Sequence, residues 1–509
     1  MWTRTAFIRR TLPENAAHCT CCVVAWPGTC SDMFLSNRLL LLILLFPVSV
    51  QGQVSQSQFD KILVLLHVTV IDATGAPTRP DMSVVIAGGR IMELGRTGHV
   101  RLPKDALVVN ASGKFLIPGL WDMHVHEWNK EVFFPLFLAN GITGVRDMFS
   151  PLPPIKQWRT EMAAGTTIGP HIFAAGVIVD GPNPFCVPCT IVVSNADEGR
   201  KAVLKVKDVG ADFIKVYSMI PRDAYFAIAD EAKRQNMVFA GHVPEFVSAA
   251  EASDAGQKSI EHLTGVLVAC SAKEAELRKE NEARLGAEGF RADTMTLEQA
   301  AALDSFDEKR ASALFARFIK NGTWMCPTLT VLRAQALIGD ADFRDDPRMK
   351  YIPDFLKKQF WADAYGWKEH TAEDFARARR VFQKQLEVVG MMKRAGVRLI
   401  AGTDTANPYV FPGFSLHEEL ALLVQAGLTP MQALQSGTRD AAQYLGQLDS
   451  LGTIEKGKIA DLVLLDANPL TEISNTRKIN AVILGGKLIS KQELDKMLAD
   501  VETRVSKGN

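Results

Sequence analysis

The sequence predicts an α/β protein built on a (β/α)8 TIM barrel, with a small β-sandwich assembled from both chain ends and helical insertions late in the barrel. Three observations carry this expectation. Strand-like apolar runs alternate with helical patterns through the middle of the chain, the signature of βα units around a parallel sheet. Eight such runs lie between positions 114 and 404, and several finish on a polar side chain, where a barrel keeps its chemistry. The two ends are instead β-rich, and residues 84–91 and 481–488 have nearly the same shape around Gly88-Gly89 and Gly485-Gly486.

Bulk properties narrow the function. With 509 residues, 47% of them hydrophobic, the chain can bury a large core, one big domain plus a smaller one. Lys+Arg and Asp+Glu are equal at 57 each, with no long single-sign run. That excludes an electrostatic footprint for nucleic acid, so the expected partner is a small molecule, met by a homo-oligomer.

Taken in order, residues 1–32 carry Cys19, Cys21, Cys22 and Cys30 and no apolar periodicity. From Met33 a short n-region with Arg38 leads into the apolar run 39–46 and a small-residue exit at Val50-Gln51-Gly52. This reads as a secretory signal peptide, too short to span a membrane. Translation is therefore expected to begin at Met33, with cleavage near Gln53, export to the periplasm or the exterior, and no stable membrane span afterwards. The alternative is a cysteine-rich extension on an uncleaved anchor. Removing residues 1–52 takes four basic (Arg4, Arg9, Arg10, Arg38) and two acidic (Glu14, Asp32) residues from 57 of each and leaves 53 against 55. Cys186 and Cys189, in a Pro/Gly-rich loop, could pair across a turn in an oxidising compartment or serve a redox role.

After the signal come β-rich runs at 61–71, 82–94 and 106–110, mirrored by 460–465 and 479–489. Two such ends most economically share one small sheet or sandwich, so the expected division is 1–52, then 53–115 with 447–509 as the β-sandwich, then 116–446 as the barrel. Barrel strands are read as ending at His126, at 145–147, at 172–176, at 213–217, at 239–242, at 260–262, at 324–328 and at 399–404. Lys215 to His242 is 27 residues and His242 to His262 is 20, ordinary for one βα step. By contrast His262 to Thr328 and Thr328 to Asp404 span 66 and 76. The excess, 272–320 and 333–393, is rich in Ala, Glu, Lys and Arg at helical spacing, and reads as helical insertions over the barrel mouth, either a lid or a passive layer.

Against this frame the polar strand ends can be placed. His124 and His126 stand two apart on the first strand, so alternation aims both imidazoles at one point. Lys215 ends strand four, His242 strand five, His262 strand six and Asp404 strand eight. Each has a bland reading alone: a surface pair, a snorkelling lysine, a satisfied core histidine. Together, four histidines, a lysine and an aspartate at one mouth make a metal site, and such ligands suit zinc, with manganese, cobalt or iron also possible. An ammonium would be repelled there, so Lys215 contributes only if burial and nearby positive charge depress its pKa. The neutral amine can then add carbon dioxide, giving a carbamate whose two oxygens bridge two metals.

These segments carry a resemblance. Residues 117–126 and 210–217, together with Gly241-His242-Val243-Pro244, Ser259-Ile260-Glu261-His262, Ala401-Gly402-Thr403-Asp404-Thr405 and the tail 452–463, resemble the amidohydrolase superfamily. The likeness is strongest to its branch of imidazolonepropionase-like proteins and metal-dependent Xaa-Pro dipeptidases, and it runs from about residue 61 to about 490. The resemblance implies that His124, His126 and Asp404 hold a deeper metal, that His242 and His262 hold an outer one, and that carbamylated Lys215 bridges them. Imidazolonepropionases resemble a one-metal variant without this lysine, so Lys215 tilts the reading toward the two-metal, dipeptidase-like side.

The expected activity follows from the charges. Two metals sharing a water lower its pKa from near 16 to about 7, so a bridging hydroxide attacks a polarised carbonyl. Asp404 would take the proton and deliver it to the leaving nitrogen. The expected enzyme is an exported metal-dependent amidohydrolase acting on a dipeptide, an N-acyl amino acid or a cyclic amide. Its rivals are a lactone or phosphotriester hydrolase on the same site, and a non-catalytic extracytoplasmic metal or ligand binder. Among weaker positions, Tyr217 could bind a substrate carboxylate or simply pack at the rim. Arg146 could recognise a carboxylate but more simply pairs with neighbouring Asp147. His171 precedes its strand and sits at the wrong end, and His417 reads as structural. His18, His67, His99 and His370 are assigned nothing.

Overall fold

The computed structural model describes residues 62–182, 184, 190–288 and 294–508. The signal-peptide reading, His18, and the Cys186/Cys189 pair lie outside the described residues. No helix among the described residues is long and apolar enough to cross a membrane.

Both chain ends enter one sheet. From the N-terminal side come β1 (Leu63–Val70), β2 (Arg79–Ala87), β3 (Arg90–Arg96), β4 (Leu107–Asn110) and β5 (Phe115–Pro118). β1 alternates as a strand should: Leu63 and Leu65 join one apolar cluster with Leu462 and Ile483 from the other chain end, while Val64 joins another with Val85 and Val100. The similarly shaped 84–91 and 481–488 are both hairpins, and their glycine turns touch, since a Cβ on Gly486 would lie 2.9 Å from Gly89 Cα. Ala460 joins them, its N–H donating to Gly89 O and its carbonyl accepting from Gly486 N.

At Gly119 the chain leaves this sheet for the next layer. The apolar run that leads to His124 is not one strand, because a Cβ on Gly119 would stand 2.1 Å from Thr143 Oγ1. Only a residue without a side chain lets the backbone cross there. Beyond it lie β6 (Leu120–Val125), β7 (Ile142–Asp147), β8 (His171–Ala174), β9 (Ile178–Asp180), β10 (Thr190–Val192), β11 (Ile214–Val216), β12 (Phe239–Gly241), β13 (Ser259–Glu261), β14 (Trp324–Cys326) and β15 (Arg398–Leu399). The C-terminal β16 (Leu462–Leu465), β17 (Ile479–Leu484) and β18 (Lys487–Ser490) return to the first sheet, whose order is β18-β17-β16-β5-β1-β2-β3 with β4 on β1.

All eight predicted central runs contain a strand, in two parallel sheets: β6-β7-β8 and β10-β9-β11-β12-β13-β14-β15. Backbone hydrogen bonds cross both junctions. Asp212 N donates to Ala174 O (2.9 Å) on one side; on the other Met123 N donates to Ala401 O (2.9 Å), and Asp404 N to His124 O (2.8 Å). Val125 and Thr405 form a parallel bridge at the same edge. After the third predicted run the chain turns at Gly176, at φ 74°, and β9, which was not predicted, joins the other sheet.

The late excess is helical in its first part and irregular in its second. Helices Glu274–Glu288 and Thr294–Leu303 fill the first gap, and Glu308–Asn321 is the ordinary helix before β14. The second contains a 24-residue helix, Ala372–Ala395, started by a Thr371/Asp374 capping box and ended by Gly396 at φ 96°. Between Ile338 and Thr371, however, only short turns of helix form, because Pro347 and Pro353 lack the N–H that a continuous helix needs. The insertions rest on strand-end loops, Asn281 donating to Glu245 and the Trp361 indole to Ala406 O (3.2 Å).

Candidate metal centre

His124 and His126 follow one another on the same face at the end of β6, and both meet Asp404. His126 Nε2 lies 2.9 Å from Asp404 Oδ1, and His124 Nε2 3.3 Å from the same oxygen. Donor atoms of His124, His262 and Asp404 all fall within 4.8 Å of one another. The His262 ring centroid is 4.6 Å from that of His124 and 4.9 Å from that of His242. Lys215 is buried in the middle of β11, its charge acting on His124, His242, His262 and Asp404. The structure thus brings together all six predicted residues.

Local backbone explains how three-residue strands deliver them. Gly241 precedes His242 because a Cβ there would stand 2.0 Å from Val216 O. His262, Thr328 and Asp404 all adopt left-handed backbone, with φ of 57°, 48° and 68°. Each such conformation costs about 1–3 kcal/mol and persists where the surroundings fix it, commonly at functional sites. Here it turns three strand ends over the same mouth.

A pattern of hydrogen bonds orients the imidazoles. Nδ1 of His124 meets Glu261 Oε2 (2.9 Å), that of His126 meets Phe149 O (3.2 Å), that of His242 meets Ser218 Oγ (2.9 Å) and that of His262 meets Thr328 Oγ1 (2.7 Å). Every Nδ1 has a scaffold partner, and in His124 and His126 Nε2 faces Asp404, the arrangement typical of histidine ligands. A carboxylate only accepts, so Nδ1 carries the proton in His124. His124 Nε2 therefore turns a lone pair toward the Asp404 carboxylate, while His126 Nε2 hydrogen-bonds the same oxygen. His124 Nε2 is buried with no hydrogen-bond partner, its 3.3 Å approach to Asp404 not being aligned as one. A lone pair and a carboxylate oxygen 3.3 Å apart repel one another unless a cation joins them, and about 3 Å is the spacing between donors that share one zinc ion. The residues present fit a divalent metal.

Electrostatics agree. Burial, followed by Lys215 and His262, holds His124 well below the usual histidine range, and burial with Lys215 does the same to His242. Burial lowers His262 to about 4. All three are neutral, as ligands must be. Burial also lowers Lys215 to about 8, so a reactive neutral amine is within reach near neutrality. Burial alone would raise Asp404, but His262 and the His126 hydrogen bond outweigh it and keep the carboxyl below its ordinary value.

Several supporting residues escaped sequence reasoning. Asp122 accepts from Thr403 N (2.9 Å) and Thr403 Oγ1 (2.7 Å), latching β6 to the Asp404 segment. Glu419 accepts from Leu329 N and Thr330 N and fixes the turn after Thr328. Asp122 had a signal, since Asp122, His124 and His126 share one strand face. Arg146 is a correction: fully buried, it pairs with Glu261 (2.8 Å) rather than with Asp147. A second close group, His124, Glu261 and Cys326, is not a separate metal site because that guanidinium already sits against its carboxylate. Tyr217 stacks on His242 with ring centroids 4.0 Å apart. His171 begins β8 and bonds Asp461 (2.8 Å), and buried His417 bonds Thr476 (3.0 Å); both are structural.

A parallel α/β chain with histidines, a lysine and an aspartate at its strand ends has the framework of a hydrolase. Residues 115–489 match the model of the amidohydrolase family, and the chain belongs to that family. Over 521 aligned residues it is 22% identical to ochratoxinase of Aspergillus niger, with 87% of this chain and 90% of the relative covered. Among solved structures it resembles bottromycin amidohydrolase, with a TM-score of 0.69, 23% identity and coverage of 87% and 90%. It also resembles a Xaa-Pro dipeptidase with bound methionine, with a TM-score of 0.61, 21% identity and coverage of 84% and 100%.

Proposed function

We propose that this chain is a metal-dependent amidohydrolase that cleaves the C–N bond of a small amide, a dipeptide or an N-acyl amino acid. The observation that carries the reading is the convergence of His124, His126, His262 and Asp404, with the unpartnered Nε2 of His124 facing the carboxylate. The amidohydrolase and dipeptidase names of its structural neighbours point the same way. His124, His126 and Asp404 would hold one divalent ion, zinc by its ligand set, and His242 with His262 a second. Neutral Lys215 would attack carbon dioxide through nitrogen and lose a proton, giving a carbamate between the two positions. When bound, the ions polarise the substrate carbonyl and acidify water. Asp404 accepts the proton of the attacking water and returns it to the leaving nitrogen, without which an amide nitrogen leaves poorly. Tyr217, half-buried beside His242, is placed to bind a substrate carboxylate.

The same reading closes the two parallel sheets into a (β/α)8 barrel flanked by a β-domain from both ends, with the chain crossing between them at Gly119. It also takes residues 33–52 as an export signal. The test is a panel of dipeptides, N-acyl amino acids, lactones and phosphotriesters given to the zinc-loaded protein. Amide cleavage is expected, and Asp404→Asn should lower kcat by about 10²–10⁴-fold with metal still bound. Turnover of lactones or phosphotriesters alone would overturn the amide assignment, and a metal-loaded chain inert to the whole panel would favour a binder.

A further inference from the structure

Beneath the mouth lies a closed layer of buried polar groups that neither substrate nor solvent reaches. Glu261, on β13, accepts through Oε2 from His124 Nδ1 (2.9 Å) and from the Arg146 guanidinium (2.8 Å), and through Oε1 from Ser259 Oγ (2.5 Å). Arg146 also donates to Met123 O (2.6 Å), Ser259 Oγ (2.9 Å) and the Tyr444 hydroxyl (2.8 Å). His124, Arg146 and Glu261 are each at most 1% exposed.

Three consequences follow. An ionised carboxylate is costly to bury unless an opposite charge and hydrogen bonds satisfy it, and Arg146 supplies both. Glu261 cannot donate, so His124 carries its proton on Nδ1 and presents Nε2 as a lone pair. Arg146 additionally grips the carbonyl of Met123, the residue before His124, so the same pair fixes the ring and the strand that bears it.

We propose that Glu261, fixed in place by Arg146, is the positioning residue for His124, setting its tautomer and the direction of Nε2. The proposal rests on the metal reading of this site. Two measurements judge it. In the metal-free wild type, histidine ¹⁵N spectra should show His124 protonated on Nδ1; protonation on Nε2 would overturn the proposal without any variant. Glu261→Gln keeps the shape but removes the charge, and should need roughly ten- to hundredfold more free zinc for half-loading in competition with a chromophoric chelator. Thr476→Val, which removes the hydroxyl bonded to His417 elsewhere in the fold, should lower thermal stability and leave zinc loading unchanged. Unchanged loading in Glu261→Gln, or equal weakening in Thr476→Val, would reduce Glu261 to packing. A wild type that takes up no zinc would instead defeat the metal reading, while the spectra would still decide the tautomer.

Discussion

Lys215 is the residue whose state the proposed chemistry depends on most. Burial lowers it to about 8, whereas an unfolded lysine titrates near 10.4. Between about pH 8 and 10.4 the unfolded chain binds the extra proton, so this group's contribution to the stability of the metal-free protein rises with pH across that window. The fraction able to add carbon dioxide rises through about pH 8 as well. Reconstitution of chelated protein with zinc and bicarbonate should therefore quicken from about pH 6.5 to 8.5, followed as recovery of bound metal; a flat profile would contradict the assignment. At this scale the sequence was informative about residues that break a pattern. His124, His126, Lys215, His242, His262 and Asp404 each end an apolar run. Glu261 was not legible as a partner of His124, because 137 positions separate them and only the fold makes them neighbours.

Short elements put these side chains in place, and their limits were less legible than their order. Predicted strand positions held, since apolar runs bounded by turns are local features. Where the chain changes layer was not readable from hydropathy, because the deciding contact, Gly119 against Thr143, is tertiary. Gly119→Ala should accordingly overpack the crossing and destabilise the protein by about 1–3 kcal/mol, measured as a lower urea midpoint with an unchanged slope. A variant as stable as wild type would mean that the crossing relaxes freely. The long helix Ala372–Ala395 was legible for the opposite reason: its capping box and terminal glycine are local. The prolines before it were visible too, yet their composition resembled that of a helix and concealed the irregular turns.

Across the whole molecule, the proposed ligands are spread from position 124 to position 404 and meet through the strands of both parallel sheets. The sheet built from both ends ties this region together, β16 pairing with β5 at the entrance to β6. Metal affinity and folding are then one quantity viewed twice, as expected when a site is absent from the unfolded chain. The most direct test of that claim is elemental analysis of dialysed protein after loading with zinc and bicarbonate. Wild type should hold two ions per chain, and Lys215→Ala markedly fewer with a matching loss of rate. A Lys215→Ala chain that kept both ions and the full rate would contradict the shared centre.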